Sequence, residues 1–194
     1  MSRLILIILA CALALLMLLR GGEPELPDGV LVPGTPQQTA VQAKTFEFDG
    51  HRVEVLAGFE LDARVLGKER YWLDRESELS KYDLALGWGR MSDSRVLEQI
   101  DISQSGRWYR WRAERMPIPR REIERSSANM HLIPADDWIE KQIAKAGPGT
   151  LVRIKGYLVK VTSPDGWRWK SSLTRDDTGN GACELIFVEQ FEIL

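Results

Sequence analysis

Two side chains in this chain could carry nucleophilic chemistry together: Cys183, the one cysteine outside the N-terminal apolar run, and His131. A thiol attacks as its thiolate, so it needs a base within hydrogen-bond reach. The base in turn needs a third group, such as Asn129, Asp136 or Asp137, to hold its tautomer. Cys183, His131 and Asn129 are therefore the candidate catalytic residues of a thiol-dependent hydrolase or transferase. Two observations weigh against that set. Cys183 enters the apolar stretch Leu185 to Val188, where a cysteine serves as a small core hydrophobe, and His131 stands between Met130 and Leu132, the setting of a buried, hydrogen-bonded histidine. Cys11 lies inside the apolar run, so an intramolecular disulfide within the body is excluded.

A second set of residues suits binding rather than bond-making. Arg107, Arg110, Arg112, Arg120 and Arg121 fall in a short basic segment able to meet a phosphate, a carboxylate or an anionic head group. Trp167 and Trp169 alternate with Arg168 and Lys170, a mixture suited to stacking flat rings beside anion contacts. Strand alternation alone, with tryptophan inward and arginine outward, produces the same pattern. Asp177-Thr178-Gly179 has the form of the aspartic-protease triplet but occurs once and follows charged residues rather than an apolar strand. Asp176, Thr178 and Asn180 match half a calcium loop, whose closing acid is replaced by Phe187. Zinc and nucleotide sequence patterns are lacking, so the sequence calls for no cofactor.

These side chains must be positioned by a body that begins well inside the chain. Residues 4–19 are uninterruptedly apolar between Arg3 and Arg20, a helix of roughly 24 Å. Small-residue cleavage positions fall inside the run, which favours an uncleaved signal-anchor over residues 1–20. The flanking charges place the N-terminus in the cytoplasm and export the body, giving a single-pass protein of the bacterial inner membrane with a periplasmic C-terminal domain. Residues 21–44, with Pro24, Pro27, Pro33 and Pro36, read as a linker without helix or sheet ladder. Residues 45–194 are long enough for one domain with its own core. The net charge of −2 asks for no polyanionic partner.

Periodicity assigns the elements. Phe46 to Phe48 and Val53 to Val55 flank an Asp49-Gly50 turn, and Phe59 to Val65 alternate as a third strand. Ser80 to Asp83 has the capping-box pattern before Leu84-Ala85-Leu86, and Asp93 can cap a short helix through Gln99. Ile102 to Arg112 reads as one strand, and Asp136 to Ile143 as an amphipathic helix ended by Gly147-Pro148-Gly149. From Val152 to Val161 the apolar phase changes at Gly156, as a β-bulge would cause, and Leu185 to Val188 closes the sheet. The expected fold is α+β and mostly β: an OB-like small barrel over residues 150–194 plus a strand or two, with added N-terminal strands and two or three short helices.

The phrases Tyr71-Trp72-Leu73-Asp74-Arg75, Asp83-Leu84-Ala85-Leu86-Gly87-Trp88-Gly89, Ser127 to Ala135 and Ser172 to Gly179 resemble those of a family of bacterial membrane-anchored proteins with no assigned activity. The likeness spans roughly residues 46–189. It implies an envelope protein built as one module and carries over no catalytic residue. The expectation is a membrane-tethered binding or interaction module for a partner protein or an envelope glycan, not an enzyme. Its rivals are the thiol enzyme and a cytosol-facing nucleic-acid binder, which export of the domain demotes.

Overall fold

The computed structural model describes residues 26–174 and 183–194. The apolar run, the Asp177-Thr178-Gly179 triplet and the half calcium loop lie outside the described residues. Ten strands are described: β1 (Gln37–Thr39), β2 (Thr45–Phe48), β3 (His51–Arg70), β4 (Tyr82–Gly87), β5 (Asp101–Ser105), β6 (Trp108–Arg112), β7 (Ser127–Pro134), β8 (Leu151–Thr162), β9 (Arg168–Lys170) and β10 (Glu184–Ile193). The short helices are α1 (Ser94–Leu97), α2 (Arg120–Arg125) and α3 (Asp137–Lys145). The fold is α+β and mostly β.

The strands β3, β4, β7, β10 and β8 pair in that order, and β8 pairs back to β3, so five strands close a ring. Neighbours are antiparallel except β7 and β10, which run parallel. The ring draws three strands, β3, β4 and β7, from before residue 150, where one or two were expected. A 20-residue β3 makes closure possible, because its two ends belong to different neighbourhoods. Irregularities between Val55 and Ala57 and between Val65 and Gly67 bend it. What alternation suggested as separate opening strands is one curled strand, entered through the expected turn with Asp49 and Gly50 at positive φ.

Inside the ring, Leu61, Leu84, Leu86, Met130, Leu132, Ile154, Leu158 and Ile186 form the main core, joined by Ile139 and Ile143 of α3. Asp136 caps α3, accepting from Ile139 N at 2.8 Å, and Asp93 caps α1 in the same way. A second apolar cluster covers part of the outside: Val159, Val161, Leu185, Phe187 and Ile133 pack with Phe46, Phe48, Trp167 and Trp169.

That second cluster corrects the reading of Gly156. The alternation of β8 runs through the glycine without a bulge, and both of its faces are apolar because each meets its own core. The irregularity lies opposite, in β10 between Val188 and Gln190. Glycine is required at 156 because a Cβ there would collide with the carbonyl oxygen of Phe187.

Three further expectations change. Tyr82 to Gly87 is a strand with all six residues buried, not a helix start, because its inner face meets the core and its outer face is covered as well. Ile102 to Arg112 is not one strand but the hairpin of β5 and β6, turning at Gly106 and Arg107. The segment expected as a pure linker holds a ladder: β1 pairs with β3 from Gly58 to Glu60, and Val32 is buried in the main core. Pro33 and Pro36 sit outside the paired residues, so they cost no ladder hydrogen bond.

Candidate functional site

Alternation along β4 and β7 sends Leu84, Leu86, Met130 and Leu132 into the barrel, and Asp83, Ala85, Ser127, Asn129 and His131 onto its outer face. The β5–β6 hairpin lies across that outer face. Gln104 donates from Nε2 to Asn129 Oδ1 at 2.7 Å, and Tyr109 OH lies 3.1 Å from Ser127 Oγ. Gly67 lets the hairpin come this close, since a Cβ there would stand 2.5 Å from Gln104 Oε1. The base of the hairpin packs its Ile102 and Trp111 against Val96, Ile100, Ile118 and Ile123.

The hairpin tip carries Arg107 at φ 68°, a left-handed conformation that costs an L-residue energy. Its guanidinium is held on all sides. Nε and Nη2 donate to the Asp74 carboxylate at 2.8 Å each, Nη1 to Asp83 Oδ1 at 2.7 Å, and Nη2 to the Ser80 carbonyl at 2.9 Å. The Tyr71 ring lies 3.9 Å and the Trp169 ring 5.8 Å from its central carbon. Arg107 N–H donates to Tyr71 OH at 2.9 Å. Burial alone would lower the Arg107 pKa, but the bonds and charges of Asp74 and Asp83 outweigh it and raise it. Reciprocally, the Arg107 hydrogen bond holds the Asp74 carboxyl below the usual carboxylate range. Burial pushes the Tyr71 phenol up.

Asp83 is the centre of this arrangement and is fully buried. Besides Arg107 it accepts from Asn129 Nδ2 at 3.1 Å, and its Oδ1 lies 2.9 Å from His131 Nδ1. That approach is within ion-pair distance, yet no hydrogen bond of acceptable geometry reaches Nδ1, so the contact is electrostatic. His131 is 5% exposed, and its ring centroid is 5.0 Å from that of Trp169. Two carboxylates face one guanidinium here, and His131 stands against the inner one.

The sequence-predicted residues separate into distinct places. His131 and Asn129 meet through Asp83, and Cys183 is half-buried just before β10, its carbonyl accepting from Ser172 N at 3.0 Å. Of the binding set, Arg107, Trp167 and Trp169 gather at one end of the barrel. Arg110 lies on the exposed side of the hairpin, bonded to Ser105 Oγ, and Arg112 is exposed at the end of β6. Arg120 pairs with Glu124 on α2, and Arg121 lines a separate cavity of about 630 Å³ with Pro36, Trp88 and Arg125.

Sequence reasoning missed Asp83, Asp74 and Tyr71. Asp83 was readable: treating residues 82–87 as a strand puts the acid on the face opposite Leu84 and Leu86, in phase with His131 across the pair. Also missed is the loop that follows β3. Trp72 is 66% and Leu73 100% exposed, while their neighbours are fixed: Asp74 binds Arg107 and caps the turn at Ser77 N, and Arg75 donates to both oxygens of Asp165 at 2.7 Å. Arg75 also lies 4.8 Å over the Trp167 ring, tying this loop to the one before β9.

An aspartate against a histidine is the pairing that orients an imidazole for proton transfer, but here both are covered by the hairpin. Among the described residues, no group of three or more His, Cys, Asp and Glu side chains is arranged to hold a metal ion, and no helix is long and apolar enough to cross a membrane. Comparisons of the chain with protein-family models, with curated proteins and with solved structures find no match.

Proposed function

We propose that this chain is a membrane-tethered binding module of the cell envelope, whose OB-like barrel meets a partner protein at the end carrying Trp72, Leu73, Trp167 and Trp169. Support for the OB-like assignment is the strand order. Counting β3, β4, β7, β8 and β10 as first to fifth, the ring runs one, two, three, five, four and back to one, with a helix between the third and fourth. Barrels of that class take ligands at the face of the second and third strands and at the loops joining first to second and fourth to fifth. In this chain those loops are residues 71–81 and the segment after Thr162. The tether is the apolar run at residues 4–19.

The observation that carries the reading is the exposure of Trp72 and Leu73 on a loop whose flanks are pinned by Arg107 and Asp165. A fixed loop has already lost the conformational entropy that association would otherwise cost, and exposed apolar anchors gain on being covered.

A photocrosslinking residue at position 73 in the intact cell tests this, with position 28, which pairs with Arg95 of α1, as control. One discrete protein adduct from 73 and none from 28 is the expected result. No protein adduct, with retention of the domain on envelope glycan lost in Trp72→Ala, would replace the protein by a glycan; the absence of both results would overturn the binding reading.

The thiol enzyme remains the second reading because Asp83, 2.9 Å from His131 Nδ1, supplies the acid it needs. Fast alkylation of Cys183 at neutral pH, slowed by His131→Ala at unchanged stability, would put it first.

A further inference from the structure

We propose that the cavity of about 630 Å³ between residues 35–36 and α2 takes the phosphate of an anionic phospholipid headgroup. A volume of that size suits a small ligand. Arg121 and Arg125 line it from one face of α2, one turn apart, so two guanidinium forks can close on one phosphate. Each is already engaged within the chain, but an arginine carries five donors and one such contact does not exhaust it. Glu122 is the one acid lining the cavity among the described residues, and it is paired with Arg90. Pro36, Pro119 and the buried Trp88 give the remaining wall an apolar surface, against which the glycerol backbone of a lipid can lie.

The place of the cavity selects a lipid over other phosphates. Residues 28–32, which lead into the cavity wall, are docked on the barrel. Gly29 N donates to Asp93 Oδ1 at 3.1 Å, Leu31 N and Val32 N donate to Ser92 Oγ at 3.1 and 3.0 Å, and the Val32 carbonyl accepts from Gly89 N at 2.7 Å. Asp28 is paired with Arg95. Only residues 20–27 separate this docked segment from the apolar run, and a chain of that length reaches at most about 30 Å. The cavity end is therefore kept close to the bilayer surface. The loop of Trp72 and Leu73 lies at the other end of β4: it precedes Tyr82, whereas Trp88 follows Gly87, about 20 Å along the strand. Lipid is offered to one end of the barrel and the partner protein to the other.

This inference rests on the reading of residues 4–19 as the tether, and its test uses the full chain reconstituted into nanodiscs of phosphatidylcholine, with or without phosphatidylglycerol. Phosphatidylglycerol should slow amide hydrogen exchange over residues 120–126 about fivefold, the factor expected when a headgroup stands at about four times its dissociation constant. Phosphatidylcholine alone should not. Arg121→Gln with Arg125→Gln should abolish the slowing at a nearly unchanged melting temperature, whereas Lys141→Gln with Lys145→Gln on α3 should retain it. Equal slowing in both lipids, slowing that survives the arginine substitutions, or its loss with the lysine pair would overturn the proposal. So would inorganic phosphate reproducing the effect in phosphatidylcholine discs, which would make the ligand a soluble anion. Should the arginine variant not fold, salt decides on wild type: slowing that fades in molar sodium chloride supports the site, and slowing that persists refutes it. A chain that stays out of the discs would overturn the tether reading and this inference with it. A chain that enters them but shows no slowing would overturn this inference alone.

Discussion

The two faces of β4 and β7 are equally dry and chemically opposite. Inward, Leu84, Leu86, Met130 and Leu132 are at most 1% exposed and fill the barrel with side chains that any well-shaped apolar residue could approximate. Outward, Asp83, Asn129 and His131 are at most 5% exposed, but Asp83 and Asn129 have directional partners that an apolar residue could not supply, and His131 stands at ion-pair distance from Asp83. The inner face is buried by closure of the barrel itself. The outer face is buried only because a hairpin and two loops cover it, and it keeps polar groups that a permanent interior would cost energy to hold. The lesson is that burial alone does not mark a core: one face of this sheet is held by volume, the other by a specific occupant.

The sharpest break of that comparison removes the charge on one side and the volume on the other. Asp83→Ala leaves the Arg107 guanidinium, half its acids gone, beside an unsatisfied Asn129 and should cost about 3 to 5 kcal/mol in denaturant unfolding. Leu84→Ala, one residue away on the other face, should cost about 2 to 5 kcal/mol through its cavity. The two should differ in kind. Conservative Leu84→Met should restore most of the loss, whereas Asp83→Asn should not, because a neutral amide cannot balance the guanidinium. Equal tolerance of Asp83→Asn would mean that the outer cluster is ordinary polar packing.

How much of this was legible in the sequence follows the same division. The inner face announces itself by alternation, which is why the mostly β fold, the Asp49-Gly50 hairpin, the Asp93 and Asp136 caps and the Trp167 to Lys170 strand could be read directly. The outer face breaks alternation, because a covered polar residue looks like an exposed one. Tyr82 to Gly87 therefore read as a helix start, and Asp83 went unnoticed. Arg107 was seen as one of seven arginines in a basic stretch, since its sequence neighbours give no sign that a turn would deliver it to two acids from elsewhere. Trp72 and Leu73 were legible as apolar residues but not as exposed ones, because only the bonds of Asp74 and Arg75 fix the loop outward.

A double-mutant cycle sharpens the contrast by asking whether the outer cluster acts as a unit. Replacing Asp83 and Arg107 together by leucine and methionine removes the pair instead of orphaning one charge. The double variant should be about 1 to 3 kcal/mol more stable than the sum of the single losses predicts. Leu84→Ala combined with Ile186→Ala, on the inner face, should stay closer to additive unless the two cavities merge.

A smaller effect belongs to Tyr109, whose hydroxyl meets Ser127 Oγ at 3.1 Å and whose pKa burial pushes up to about 12, partly offset by that bond. The folded state holds this proton more tightly than the unfolded chain, where a phenol titrates near pH 10. The resulting stability is fully present below about pH 10 and is lost as pH rises toward 12, because the unfolded state is then the first to ionise. Tyr109→Phe should cost about 1 kcal/mol at neutral pH and flatten the alkaline limb of a stability profile. An unchanged limb would show that the Tyr109 hydroxyl does not set it.

The smallest effect is at the acid end and reads the rim of the cluster, where Asp74 stands partly exposed beside Arg107. The Arg107 hydrogen bond lowers the Asp74 pKa below its unfolded value. A depressed carboxylate contributes stability that is present above the unfolded pKa, near pH 4, and is lost as pH falls through the folded value. Part of the acid limb below about pH 4 should therefore vanish in Asp74→Asn, while the alkaline limb set by Tyr109 stays as in wild type. Solvent and salt screen an exposed carboxylate, so the difference should shrink in high salt. The acid limb would then separate the two contacts of Arg107. If Asp74→Asn leaves it untouched while Arg107→Gly removes it, the Arg107–Asp74 bond does not set the limb, and the hairpin is fastened from within the face rather than at its rim.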